Sequence, residues 1–234
     1  MQRHNIIWWS LLVSKMIADR ILIRHGDTMK FKKFFKNSLI NIYVLYGTTY
    51  RIYCSLHSCT ALRLRGVEVG KKLSVRGKLN LHISPNSKVK IGTNVRMKSG
   101  FGENAVGGAL RIGFWVNRGG SLTICDGVGI SNSTIVCSNS IVIGEKTFIG
   151  GGTNIYDTDF HSIDPQIRVY GHDDAVKTAP IVIGKEVFIG GHCIILKGIT
   201  IGDQAVIGAG SVVTKDITPR QIWAGNPVRF IKEL

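Results

Sequence analysis

The sequence predicts an all-β protein wound as a parallel β-helix of hexapeptides, and three observations carry that prediction. Ile183, Ile189, Ile195, Ile201, Ile207 and Val213 recur six residues apart without a gap. A glycine follows the beat at Gly184, Gly190, Gly202 and Gly208. Two positions before each next beat stands a small or aliphatic residue: Val187, Cys193, Ile199, Ala205, Ser211 and Ile217. An amphipathic helix repeats its apolar residues every ~3.6 positions and a half-buried strand every ~2. A strict beat of six belongs to a solenoid in which each short strand forms one side of a coil. A β-sandwich lacks such a fixed spacing. Crossovers between parallel strands are normally right-handed, and the spacing itself does not set the hand.

From the N-terminus, the first 66 residues lie outside this pattern. They hold eleven Lys and Arg against two Asp, a net +9 of the chain's +15. The run IIWWSLLV, residues 6 to 13, is too short to span a bilayer, and no small-residue cleavage site follows it. Residues 1 to 28 fit the repeat poorly, and Met29 opens a cleaner basic segment that could be the biological start. Residues 29 to 46, MKFKKFFKNSLINIYVLY, interleave basic and aromatic residues as interfacial segments do. The same residues also suit a helix packed on the end of the coil with its lysines in water. The excess of positive charge suggests an anionic partner. No nucleic-acid motif accompanies it, which argues against nucleic acid, and a phosphorylated co-substrate or a peripheral membrane location fits better.

From residue 67 the beat takes over. Val67, Leu73, Leu79, Pro85, Ile91 and Met97 share one register; Ile124, Ile130 and Val136 share a second; Ile143, Ile149 and Ile155 share a third. Each beat residue is expected to point into the coil and stack on its neighbours above and below. The adjoining glycine or small polar residue is expected to turn the corner, often with positive φ. Single coils cannot bury their inner face, so several must stack. The expected organisation is a basic extension over 1–66, a β-helix over 67–217 and a short tail over 218–234. Residues 98 to 111 and 157 to 180 interrupt the beat. Long irregular segments in a compact domain are commonly functional. Five cysteines without a CxxC pair suggest a reducing compartment and no disulfide framework.

The C-terminal stretches IGAGSVVTKDI and WAGNPVRFIKEL closely resemble the hexapeptide-repeat acyltransferases, above all sugar O-acetyltransferases of the maltose, galactoside and nodulation type. NIYDTDFHSID, residues 154 to 164, resembles the catalytic loop of exopolysaccharide and O-antigen acetyltransferases. The resemblance covers residues 67 to 234. It implies a left-handed β-helix, a homotrimer with active sites between subunits, and transfer of acetyl from acetyl-CoA to a sugar hydroxyl. It further implies a cytoplasmic protein of surface-polysaccharide assembly that needs no metal.

Direct attack of a hydroxyl on a thioester needs a general base, donors for the oxyanion and fixed alignment. His161 in DFH matches the family's base, and Asp159 is the expected partner for its ring. His172 could line the acceptor cleft, and His192 reads as a coil-surface residue. Asn117, in FWVNRGG, occupies a place where related enzymes contact the acceptor. Gly191 and Ala209 are implied at the pantetheine of CoA; Thr214, Lys215 and Arg229 are implied at its nucleotide end, where cations suit phosphate. Trp223 reads as a cap on the last coil. Three readings remain beside this one. Acetyl can go to an antibiotic or an amino-sugar nitrogen. The same scaffold can carry zinc on three histidines, although the spacing of His161, His172 and His192 does not match that family. The coil can also serve as a non-catalytic scaffold.

Overall fold

The computed structural model describes residues 28 to 171 and 176 to 234. The run at 6 to 13 and His172 therefore lie outside the described residues. The chain divides into two units, Met1–Thr49 and Tyr50–Leu234.

One helix, Thr28–Arg63, passes from the first unit into the second. In the first unit Ile40, Ile42, Tyr43, Val44, Leu45 and Tyr46 are all exposed. These positions fall on every side of a helix, so no single apolar face exists there. In the second unit Cys54, Ser58 and Leu62 are buried at i, i+4 and i+8, the spacing of one helix face. That face closes the first coil: the Ser55 hydroxyl bonds both the Val75 amide and carbonyl, and the Val67 amide donates to the Leu62 carbonyl.

The coil has three faces, each a sheet whose successive strands come from successive turns. Successive coils pair in parallel, for example Ile143↔Ile183↔Ile201 on the first face and Ile149↔Ile189↔Ile207 on the second. The third face is built from Asn80–Ile83, Gly113–Val116, Thr134–Cys137, Asn154–Tyr156, Ile194–Ile195 and Val212–Val213. This is the architecture of the left-handed parallel β-helix. Ile183, Ile189, Ile195, Ile201, Ile207 and Val213 are all buried, as the beat requires. With no sequence-distant layer to supply a second core, each turn is held by stacking on its neighbours.

Several beat assignments change. Val69 and Val75 pair with Ile91 and Met97, and Leu81 with Phe114, so Val67, Leu73 and Leu79 stand two positions before the beat row and not in it. Pro85 sits exposed in a turn. Val136 faces outward, because the strand Thr134–Cys137 turns Ile135 and Cys137 inward instead. Only five residues separate Ile130 from Ile135, so the beat shifts by one there. The role of the corner glycines also differs from expectation. Gly144 and Gly184 do not have positive φ; that falls two residues later, on Lys146 (56°) and Glu186 (56°). A Cβ on Gly144 would lie 2.4 Å from the Gly184 backbone, and one on Gly184 would lie 2.8 Å from the Asp203 amide. Close approach between coils, not backbone freedom, demands glycine here.

The C-terminal residues end the stack. Gln221–Ala224 continues the second face in parallel, and Arg229–Glu233 folds back on it as the antiparallel partner. Trp223 packs on the core and meets the Phe230 ring edge-on at 5.8 Å.

Candidate active site

The third face carries two rows of side chains. Trp115, Val136 and Tyr156 are in register and point outward; Val116 and Cys137 are in register and point inward. One step beyond Tyr156, level with the inward Cys137, is Asp157. A carboxylate at an inward position would be costly without partners. Asp157 is fully buried, and its two oxygens accept the amides of Ser138 at 2.7 Å and Asn139 at 2.8 Å. It also lies against Cys137, whose thiol is pushed far above its usual range by burial and then by the Asp157 charge. Asp157 thus fixes the turn that leaves the coil.

From that anchor the excursion departs. Its neck is zipped by an antiparallel bridge between Thr158 and Thr178, by the Ala179 amide on the Asp157 carbonyl (3.0 Å), and by the Asp159 amide on the Lys177 carbonyl (3.1 Å). The loop then tightens into a three-residue turn. The His161 amide donates to the Asp159 carbonyl at 2.7 Å, with Phe160 between them at φ 63°. A bulky residue in the left-handed region is strained, and such strain collects at functional sites. Beyond the turn, Asp164 caps the short helix Pro165–Tyr170, accepting from the Gln166 and Ile167 amides. Arg168 ties back to the Ser162 and Ile163 carbonyls.

Beneath the loop lies a cleft of about 500 Å³ on the outer side of the third face. Asn117, Ser138, Tyr156, Thr158 and Phe160 line it. Ser138 donates to the Asn117 side-chain oxygen at 2.6 Å, which leaves the Asn117 amide nitrogen to present two donors. Burial raises the Tyr156 phenol above its usual range, so it remains a neutral hydroxyl. His161 follows Phe160 directly and is exposed, but it is not among the residues that line the cleft. The structure therefore brings Asn117 and Phe160, the middle residue of the DFH turn, to one cleft.

Asp159 does not play the part expected of it. Its carboxylate accepts from Lys197 Nζ at 2.6 Å, with both side chains about one-third exposed or less. The His161 ring makes no hydrogen bond among the described residues. Asp159 acts on His161 through the backbone: Lys197 clamps the side chain of the residue whose carbonyl holds the His161 amide. Lys197 stands just after Ile194–Ile195, one coil beyond Asp157, and the sequence reading missed it. So did Tyr156, Ser138 and Thr158. The signal lay in the third-face register, where Asp157 and Lys197 follow the buried Ile155 and Ile195 at the same interval.

Gly191 and Ala209 occupy successive turns of the corner between the second and third faces, where the Gly210 amide donates to the Gly191 carbonyl at 2.9 Å. The excursion 98 to 111 borders this corner: a Cβ on Gly191 would meet Val106 at 2.8 Å. Asn132 holds that excursion, accepting from the Gly100 amide and donating to the Val106 and Gly108 carbonyls. Thr214 and Lys215 follow the last third-face strand and are exposed, with the Lys215 ammonium 5.9 Å from the Trp223 ring centre. Arg229 lies exposed on the final strand. The residues implied at CoA thus occupy two corners and the end of the coil. His192 is exposed with φ 58°, as a corner residue. Among the described residues no three His, Cys, Asp or Glu side chains converge as metal ligands.

Comparison with known proteins agrees with the architecture. Residues 180–215 match the family described as the hexapeptide repeat of succinyl-transferase. Galactoside O-acetyltransferase of Escherichia coli K12 is 42% identical over 103 residues, covering 44% of this chain and 49% of that protein. The chain therefore spans about half the length of that curated relative. Among solved structures, AntD, an N-acyltransferase from Bacillus cereus in complex with dTDP and 3-hydroxybutyryl-CoA, superposes with a TM-score of 0.58 at 25% identity. The superposition covers 75% of this chain and 88% of AntD. Fold and repeat together define a left-handed β-helix protein of the hexapeptide-repeat class. Within that class the chain is similar to a galactoside O-acetyltransferase and to an N-acyltransferase.

Proposed function

We propose that this protein transfers an acyl group from CoA to a sugar-type acceptor, with His161 as general base. The observation that carries the reading is the meeting of Asn117 and Phe160 at one cleft, with His161 next to Phe160 on the pinned turn. In that role the imidazole takes the proton of the attacking group, and Asn117 and Tyr156 hydrogen-bond the acceptor's polar groups. Gly191, Ala209, Thr214, Lys215 and Arg229 are the residues that would hold CoA, the small ones admitting its arm and the basic ones its phosphates. Bound CoA supplies the activated thioester.

The acceptor atom has two readings. The galactoside relative points to a hydroxyl. The N-acyltransferase relative points to a nitrogen. The galactoside relative favours a small sugar-type acceptor over a polysaccharide intermediate. Assembly as a homotrimer, with the cleft completed by a second copy, and a reducing cytoplasmic setting for the five free cysteines belong to the same proposal. Free-thiol release from acetyl-CoA, measured against sugars, amino sugars and their nucleotide-linked forms, tests it. Light scattering on the same sample reads the assembly. Acceptor-dependent release supports the reading; failure to bind CoA at all would falsify it.

The exposed apolar residues from Ile40 to Tyr46 lie between Lys36 and Arg51. No helix among the described residues is long and apolar enough to cross a membrane. We assign this segment to peripheral contact with an anionic bilayer surface carried by its cations, because its apolar residues form no single face that could lie in the interface. The full chain is expected to sediment with vesicles containing phosphatidylglycerol but not with pure phosphatidylcholine, and salt should weaken the binding. Equal recovery in both supernatants sinks the assignment.

A further inference from the structure

We infer that Trp115 is an aromatic platform for a second sugar ring, the one joined to the ring that reacts. The inference rests on the acyltransferase reading and extends it to the acceptor's size.

The case begins with an indole kept at the surface. Trp115 is 44% exposed although the coil offers large apolar residues an interior. Its position is built rather than incidental. On the neighbouring strand His82 is its register partner, and the two rings stack with centroids 3.7 Å apart and planes 13° from parallel. On its own strand Gly113 makes room: a Cβ there would come within 3.3 Å of the indole nitrogen and 3.6 Å of the adjacent ring carbon. The His82 stack supports one face of the ring, and the glycine leaves its nitrogen edge uncrowded. Among the described residues the indole N–H donates to no protein acceptor, so it can serve a ligand.

Two cavities meet at this ring. The main cleft has Trp115 and Asn117 in its wall, and a second cavity of about 300 Å³ between His82, Ser84 and Trp115 shares both residues. Along an extended strand, two residues span ~6–7 Å. An acceptor whose reacting group lies at Asn117 and the DFH turn therefore extends its next unit over Trp115. The apolar face of a pyranose matches a rigid aromatic surface, and its hydroxyl edge can accept from the indole N–H. A monosaccharide would leave this surface uncovered.

The test compares matched probes: galactose with lactose, and glucose with maltose. Wild type, Trp115→Ala and Trp115→Phe are assayed for acceptor-dependent thiol release. Each protein is also examined by saturation-transfer NMR with the sugars alone and with dTDP. In wild type the disaccharide of at least one pair should be preferred by about ten-fold, the scale of one stacked ring. Trp115→Ala should bring that ratio to about one, and Trp115→Phe should keep most of it. Matching circular dichroism melts would show that the variants fold. Absence of thiol release with every sugar counts against the acyltransferase reading, while the NMR contrast still decides the platform. The inference is overturned if no disaccharide shows saturation in wild type, if Trp115→Ala leaves the ratio unchanged, or if that variant loses dTDP and not the disaccharide.

Discussion

Replacing His161 with Ala is expected to lower kcat by about 10²–10⁴-fold, the usual worth of a positioned general base. CoA affinity should stay within about two-fold of wild type, because the residues proposed for CoA lie at other parts of the coil. The imidazole is exposed at the end of a strained turn, so its loss removes no core contact and the thermal midpoint should hold. That combination separates a chemical role from a structural one. The geometry adds a second contrast. Lys197 reaches His161 only through Asp159, whose carbonyl holds the His161 amide. Lys197→Met should therefore lower kcat less than His161→Ala does, with KM for the acceptor raised, and Lys197→Arg should recover part of the loss by restoring the ion pair. Steady-state kinetics beside isothermal titration with CoA checks both. An His161→Ala enzyme with wild-type turnover would remove His161 from the chemistry and return the assignment to a scaffold.

The contrast between His161 and Lys197 also shows where sequence reading succeeds. A beat residue such as Ile189 can be read directly, because every coil imposes the same inward position and the same spacing. His161 stood out because it interrupts that spacing. Lys197 could not be read from neighbours: its partner lies 38 residues away, and only the stacking of coils brings the two together. Asp159 lies two residues from His161, which makes it the partner the sequence suggests, yet the tight turn carries its carboxylate to Lys197. Val136 was misplaced for a different reason. Asn132 takes φ 39° and spends its side chain on holding the excursion 98 to 111. The coil therefore reaches the third face one residue early, and Val136 turns into the cleft. The corner glycines show the same limit. Their spacing is legible, but the reason for it, an atom of the next coil less than 3 Å from any added Cβ, exists only between coils.

Asp157→Ala is the substitution expected to cost most stability at the site. The carboxylate accepts two backbone amides, those of Ser138 and Asn139, at a fully buried position. Alanine leaves both donors without an acceptor, at about 1–3 kcal/mol for each unsatisfied group. Partial access of water to residues 138 and 139 brings the expected total to about 2–4 kcal/mol. For a chain of this size that is a fall of roughly 5–15 °C in the thermal midpoint at fixed concentration and scan rate. Asp157→Asn should recover about half, since its amide keeps one acceptor oxygen and turns a donor toward the second N–H. A chemical readout accompanies the thermal one. In wild type the buried Cys137 thiol is held far above its usual pKa, first by burial and then by Asp157. It should resist N-ethylmaleimide at pH 8 until the protein unfolds. In Asp157→Ala the charge is gone and the turn over Cys137 loosens, so mass spectrometry should find that thiol modified in the native state. If the midpoint moves by less than about 1 °C and Cys137 stays protected, the two amides have found other acceptors. Asp157 is then a buried passenger of the third face and not the anchor of the loop that carries His161.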